Sequence, residues 1–320
     1  MSIDPVFSNE PSLPPTKQPS KAKRAAGMLT QRVMDRKEGD PGEQSPPKLI
    51  SRIDSAVDRY LREEGYTIGT QIGKGGGGQV RIIEQPGRSP LAIKTFFNPP
   101  GFTPHKGEHL AVGVASPHIV RPQVLYFNPE ADAVAMVPGE GMQVAAVIMP
   151  YIAGRTLKDL LKEPVEPKRA LEIVKQIALG LQSLTENGIV HRDLKPDNIL
   201  VQADGHCIII DFGLSKKYPH SPETPCATEK YSPPDFESEV DSRSVGKRDV
   251  YSLGLIFKEL LGSDRLLTLF AKRHLSEEEL ADVPGEFVHP LMNMLNPNPH
   301  ERWSIADVLG YVSIALERLQ

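Results

Sequence analysis

Apolar and polar positions are spaced differently in successive stretches of the chain, and the spacing predicts the elements. Residues 1–50 scatter their apolar positions thinly among eight prolines, with no period. Such a stretch cannot bury enough surface to offset the entropy of ordering, which predicts a disordered tail. In SRIDSAVDRYLREE (51–64), Ile53, Val57, Tyr60 and Leu61 recur at helical spacing and Gly65 supplies a stop, so one amphipathic helix leads into the folded part. From Tyr66 the runs YTIGTQI, QVRIIEQ and LAIKTFF, with a PGRS turn before the third, predict an antiparallel meander. PQVLYFN and QVAAVIM add two strands around a Pro/Gly-containing connection near Val137 to Gly141. After Gly154 the period lengthens. In PKRALEIVKQIALGLQSLTENG, the residues Ala170, Val174, Ile177, Leu181 and Leu184 line one helix face, and Asn187-Gly188 ends it. Strands first and helices after predict an α+β chain with two lobes, a small β-rich one over 66–152 and a larger helical one over 153–320.

Composition narrows the class. With 320 residues and 39% hydrophobic content the chain can bury one large core or two modest ones. A net charge of -4 carries no global signal for nucleic acid or an anionic membrane, so a charged partner has to be met locally. Cys207 and Cys226, without C-x-x-C spacing, make neither a disulfide framework nor a zinc site and suit a reducing, intracellular, cytoplasmic setting. No stretch approaches the ~18 apolar residues of a membrane span. The start MSIDPVFSNE lacks the apolar core of a cleaved signal peptide, so the mature chain is expected to begin near Met1. The weakly basic part from Lys17 to Lys37 reads as a solvated tail, with docking of a partner as its other use.

Two stretches carry candidate chemistry. QIGKGGGGQV (71–80) is either a flexible tether or a loop whose bare backbone approaches a ligand. HRDLKPDN (191–198) is followed, after two short apolar runs, by DFG (211–213). The runs NILVQ and HCIIIDF predict a hairpin turning at Ala203-Asp204-Gly205, which returns Asp211 to the neighbourhood of Asn198. On these motifs the chain resembles the eukaryotic-type serine/threonine protein kinase family over about residues 66–315.

That resemblance implies ATP and Mg²⁺ as phosphate donor and cofactor, and a protein hydroxyl as acceptor. It assigns Asp193 to orient the hydroxyl and accept its proton, Lys195 to steady the transferring group, and Asn198 and Asp211 to hold Mg²⁺. Lys94 in LAIK matches the lysine of the α- and β-phosphates; its carboxylate partner falls to Glu108, the one acid between Lys94 and Glu130, on a segment that Gly107 and Gly113 make a poor helix. Gly73, Gly75 and Gly78 fit G-x-G-x-x-G with Val80 following. The β-type run QVRII after them disfavours a dinucleotide fold, which needs a helix there. Ile72, Val80 and Ala92 are then expected to roof the adenine, with Met149 to Ile152 pairing with its edge.

Further matches are supporting. Asp249 fits the carboxylate that braces the catalytic loop. Arg302 is matched to Asp235, which stands in Pro233-Pro234-Asp235 where the family ends in Ala-Pro-Glu. Thr228 and Lys195 point to serine/threonine specificity. A phosphate on Ser221 or Thr224 is expected to pair with Arg192, and Cys226 reads as an inert thiol. Two rival classes stand beside this reading: a pseudokinase scaffold, disfavoured because Lys94, Asp193, Asn198 and Asp211 are all present, and a small-molecule kinase of related fold, disfavoured because such enzymes usually lack the lysine matched by Lys195 and the peptide-docking segment.

Overall fold

The computed structural model describes residues 46–75, 78–97, 107–218, 229–234, 246–262 and 285–319. The expectations for the tail through residue 45, for Ser221, Thr224, Cys226 and Thr228, and for Asp235 lie outside these residues.

The first helix, α1, spans Pro46–Glu63, so it begins inside the stretch expected to be tail. Proline fits a first helical turn, where its missing N–H has no intrahelical partner to lose. Ile53, Ala56, Val57 and Leu61 form its buried stripe. The stripe packs against one face of a six-stranded sheet, on Ile83, Ile93, Leu125, Phe127, Ala146 and Ile148. Arg52 fixes the helix from outside by bonding Asp132 at 2.8 Å and the Pro129 carbonyl at 2.9 Å.

That sheet contains β1 (Thr67–Gly75), β2 (Gly78–Glu84), β3 (Leu91–Phe96), β4 (Gln123–Asn128), β5 (Ala133–Ala135) and β6 (Gln143–Pro150). Its order is β1-β2-β3-β6-β4-β5, with every neighbouring pair antiparallel. Side chains alternate across a strand, so Ile93 faces α1 while Ala92 and Lys94 face the other way. The sheet thus has one face sealed by a helix and one face turned to the rest of the chain. Strand β5 was not expected; three residues, Ala133 to Ala135, are too few to show a period.

The helical part is built around α3 (Pro167–Glu186), whose Ala170, Val174, Ile177, Leu181 and Leu184 are all buried. It ends at Asn187, and Gly188 follows at φ 69°. The lobe also holds the one-turn α2 (Leu157–Leu160), α4 (Lys247–Leu260), α5 (Gly285–Met294) and α6 (Ile305–Arg318); α4 and α6 pack against α3, and α5 packs against α4 and α6. Ser304 and Asp307 cap α6 reciprocally, so two of its first backbone N–H groups are satisfied. Short strands complete the lobe: β7 (Arg155–Thr156), β8 (Ile189–Val190), β9 (Ile199–Val201), β10 (Cys207–Ile209) and β11 (Lys216–Lys217). The arrangement is a β-rich lobe joined to a helical lobe, the α+β class expected.

Candidate active site

The return of Asp211 toward Asn198 follows from one hairpin. Strands β9 and β10 pair antiparallel from Ile199↔Ile209 to Val201↔Cys207, and the amide of Ile210 donates to the Asn198 carbonyl at 2.9 Å. Asn198 in turn donates from Nδ2 to the backbone carbonyl of Asp193 at 2.9 Å and to its Oδ2 at 3.2 Å. Lys195 Nζ reaches the same Oδ2 at 2.6 Å. Asp193, Lys195, Asn198 and Asp211 therefore lie around one end of this hairpin.

The loop carrying Asp193 is held from beneath. Asp249, buried on α4, accepts from the amides of His191 at 2.8 Å and Arg192 at 2.9 Å. Arg192 has φ 70° and Asp211 φ 67°, left-handed values that cost a non-glycine residue about 1–3 kcal/mol. At Arg192 the bidentate grip of Asp249 offsets that cost. His191 is fully buried; its Nδ1 accepts from the Asp193 amide at 3.3 Å, and its ring meets Phe212 edge-on at 5.4 Å.

From the other lobe comes Lys94. Its Nζ lies 2.8 Å from Glu108 Oε1 and 2.7 Å from Asp211 Oδ1. Glu108 uses its second oxygen to accept from the Phe212 amide at 3.2 Å. Burial alone would depress the Lys94 ammonium, but the two carboxylates outweigh it and hold the group well above lysine's ordinary value. Burial is the dominant influence on Glu108 and raises its carboxyl despite Lys94. Partial burial raises the Asp211 carboxyl, yet Lys94 and the Gly213 amide outweigh it and hold the group below the usual carboxylate range. The three groups make one charge network, with lysine as its shared cation.

Glu108 is not on a regular helix. It opens a single 3-10 turn, Glu108–Ala111, and its side chain is 2% exposed. The glycines flanking this segment had signalled a poor helix, and the contacts with Lys94 and Phe212 hold the carboxylate in its place.

The phosphate-loop candidates sit at the β1–β2 end of the sheet. Gly75 pairs with Gly78 and Gly73 with Val80. Gly78 is sterically required, since a Cβ there would stand 2.1 Å from the Thr95 carbonyl oxygen, whereas Gly75 has open space around it. Val80 pairs with Lys94 and Ala92 with Met149, so the sheet brings these side chains to the face that carries Lys94. Ile72 falls in a register shift between Gln71 and Gly73 and is 47% exposed. Ile152 follows the end of β6 and is partly buried against the helical core.

The protein kinase domain pattern matches residues 66–312. The chain belongs to the protein kinase domain family. Among curated relatives, the serine/threonine-protein kinase PknB of Mycolicibacterium smegmatis is 29% identical over 181 residues, 50% of this chain and 28% of that protein. The probable serine/threonine-protein kinase CPE1738 of Clostridium perfringens is 28% identical over 216 residues, 58% of this chain and 31% of that protein. The probable serine/threonine-protein kinase MARK-C of Dictyostelium discoideum is 30% identical over 176 residues, 52% of this chain and 23% of that protein. The matched region thus spans less than a third of each relative's length.

Within this kinase domain, Arg302 is buried and bonds the carbonyls of Asn296 at 2.8 Å, Lys247 at 3.1 Å and Pro297 at 3.3 Å. Its expected partner Asp235 lies outside the described residues. Three residues of this arrangement have no charge to mark them in the sequence: His191, Phe212 and Gly107. The first two stand inside HRDLKPDN and DFG, and Gly107 stands beside Glu108.

Proposed function

We propose that this chain is a serine/threonine protein kinase that transfers the γ-phosphate of ATP to hydroxyl groups of proteins, itself among them, with Mg²⁺ as cofactor. The observation that carries the reading is Lys94, held between Glu108 and Asp211 at 2.8 and 2.7 Å, with Asp211 following the β9–β10 hairpin. Phosphoryl transfer demands little bond-making from the protein and much holding of charge. A lysine kept ionised by two carboxylates suits the α- and β-phosphates. The backbone at Gly73, Gly75 and Gly78, at the β1–β2 end of the sheet, is suited to lie over them.

The oxygen donors fit Mg²⁺. Asn198 commits Nδ2 to Asp193, which leaves Oδ1 as its donor, and Asp211 offers a carboxylate still partly open to solvent. A hard cation of this kind takes few protein oxygens and completes its shell from phosphate and water. Bound there, it would neutralise phosphate charge. Asp193 accepts the proton of the attacking hydroxyl and orients it. Lys195, 2.6 Å from that carboxylate, steadies the transferring group. Ile72, Val80 and Ala92 supply the apolar roof for the adenine, and Ile152 lies in the connection that meets its edge.

The relatives, serine/threonine-protein kinases by name, support serine and threonine as acceptors, as does Lys195. A cytoplasmic location accords with the cysteine usage, and no helix among the described residues is long and apolar enough to cross a membrane. Phosphoamino-acid analysis of a generic basic protein, after incubation with the full chain, Mg²⁺ and γ-labelled ATP, tests the reading. Label on phosphoserine and phosphothreonine is expected; label on phosphotyrosine alone overturns the specificity.

A further inference from the structure

Gly107 stands where a side chain does not fit. Its φ of -85° and ψ of -19° are ordinary right-handed values, so the backbone conformation does not call for glycine. Space does. A Cβ at this position would lie 2.1 Å from the carbonyl oxygen of Phe212, 2.6 Å from that of Ser215 and 2.7 Å from the Ser215 nitrogen. All three are backbone atoms of the turn that follows Asp211, and Ser215 N donates to Phe212 O at 2.9 Å to close that turn. A side chain could rotate away from an added methyl group; a closed backbone turn has to move as a body.

The bare backbone makes specific contacts there. Gly107 N donates to the Gly213 carbonyl at 3.3 Å, and the next residue, Glu108, accepts from Phe212 N at 3.2 Å. Two adjacent residues thus meet two adjacent residues of the Asp211 turn. The 3-10 turn that carries Glu108 has only four residues, and Val112 leaves it in an extended conformation. So short an element cannot by its own hydrogen bonds hold a buried carboxylate in register with Lys94. The register has to come from the docking of residues 107 and 108 on the turn at 211–215.

We propose that Gly107 is a positioning residue for phosphoryl transfer: its missing side chain lets the backbone dock against the Phe212–Ser215 turn, and this docking sets Glu108 against Lys94. The inference deepens the kinase reading and rests on it.

A double-mutant cycle in the full chain tests it, with Gly107→Ala, Glu108→Ala and the pair. Gly107→Ala is expected to lower kcat/KM about 100-fold, the order of loss that a 1 Å misplacement brings. In the Glu108→Ala background the same change is expected to cost less than about 2-fold, because the residue it acts through is gone. Wild-type kcat/KM in Gly107→Ala, or full multiplication of the two losses, overturns the proposal. Amide hydrogen exchange gives a readout independent of transfer. The Phe212 amide should lose protection selectively in Gly107→Ala as in Glu108→Ala, and keep it in Gly113→Ala, where φ is 86° but nothing lies within 4 Å. A uniform rise across the domain would mark a merely structural glycine. If Gly107→Ala does not fold, the wild type still decides. The two hydrogen bonds of the docking hold these amides, so Gly107 and Phe212 should both exchange slowly; fast exchange at Gly107 beside slow exchange at Phe212 contradicts the docking. A wild type that transfers no phosphate would sink the kinase reading, while these exchange results would still judge Gly107.

Discussion

His118 shows how a single side chain couples the fold to pH. The ring is buried, its Nδ1 lies 3.0 Å from the Cys207 carbonyl oxygen, and it meets the His206 ring at a tilt of 34° with centroids 4.8 Å apart. Burial lowers its pKa below histidine's ordinary value; the Cys207 carbonyl works against that and the neighbouring His206 with it. The fold therefore keeps this ring neutral at pH values where the unfolded chain takes up a proton. Stability from this site is complete above about pH 6.5 and is lost as pH falls through that value toward the lower folded one. Glu108, raised by burial, has the opposite sign, and Asp211, depressed in the fold, acts only below about pH 4. Both are common to wild type and a His118→Asn variant, so comparing the two isolates His118. Thermal denaturation between about pH 7.5 and about pH 5.5 is expected to lower the wild-type Tm by more than it lowers that of the variant. Equal falls in both would contradict the assignment. At this scale much of the site was legible: Asp193, Asn198, Asp211 and Lys94 announce themselves by residue type and spacing, and Glu108 was found by elimination. Gly107 was not, because its role depends on a backbone more than a hundred positions away.

At the scale of elements, α1 is the part most open to direct test. Leu61 is fully buried at the end of its apolar stripe, on the sheet face opposite Lys94. Leu61→Ala is expected to cost about 2–5 kcal/mol, the usual range for emptying a buried leucine site. In a domain of this size that lowers Tm by roughly 5–15 °C. A shift under about 1 °C would mean that α1 is not part of the cooperative unit. Elements with a full period are legible in the sequence, as α3, β3, β4 and β6 are, because burial imposes the spacing; β1, with no buried residue, and β2, with one, are legible from their β-type runs. The start of α1 was not. Its first residues, Pro46 and Pro47, look like the prolines of the preceding tail, and only the packing of later turns tells them apart. The turn at Glu108 was half readable: two glycines said what it could not be, and only the Asp211 turn against it says what it is.

At the scale of the molecule, one segment of the β-rich lobe is stitched to the helical lobe at both ends. Gly107 and Glu108 meet the turn after Asp211, and at the other end Ile209 N donates to His118 O at 2.9 Å while Val120 N donates to Ile209 O at 3.0 Å. Lys94 and Asp211, from different lobes, are brought together between these two seams. The lobe order was legible from the succession of periods, whereas the seams join residues with no pattern in common. The most direct test of the catalytic reading is the initial rate of γ-phosphate transfer from Mg²⁺ and ATP by the full chain, compared with Asp193→Asn. Wild type should label itself or a generic protein substrate, and the variant, which keeps Lys94, Asn198 and Asp211, should be slower by about 10²–10⁴-fold. A wild type without transfer, or a variant as fast as wild type, would contradict it.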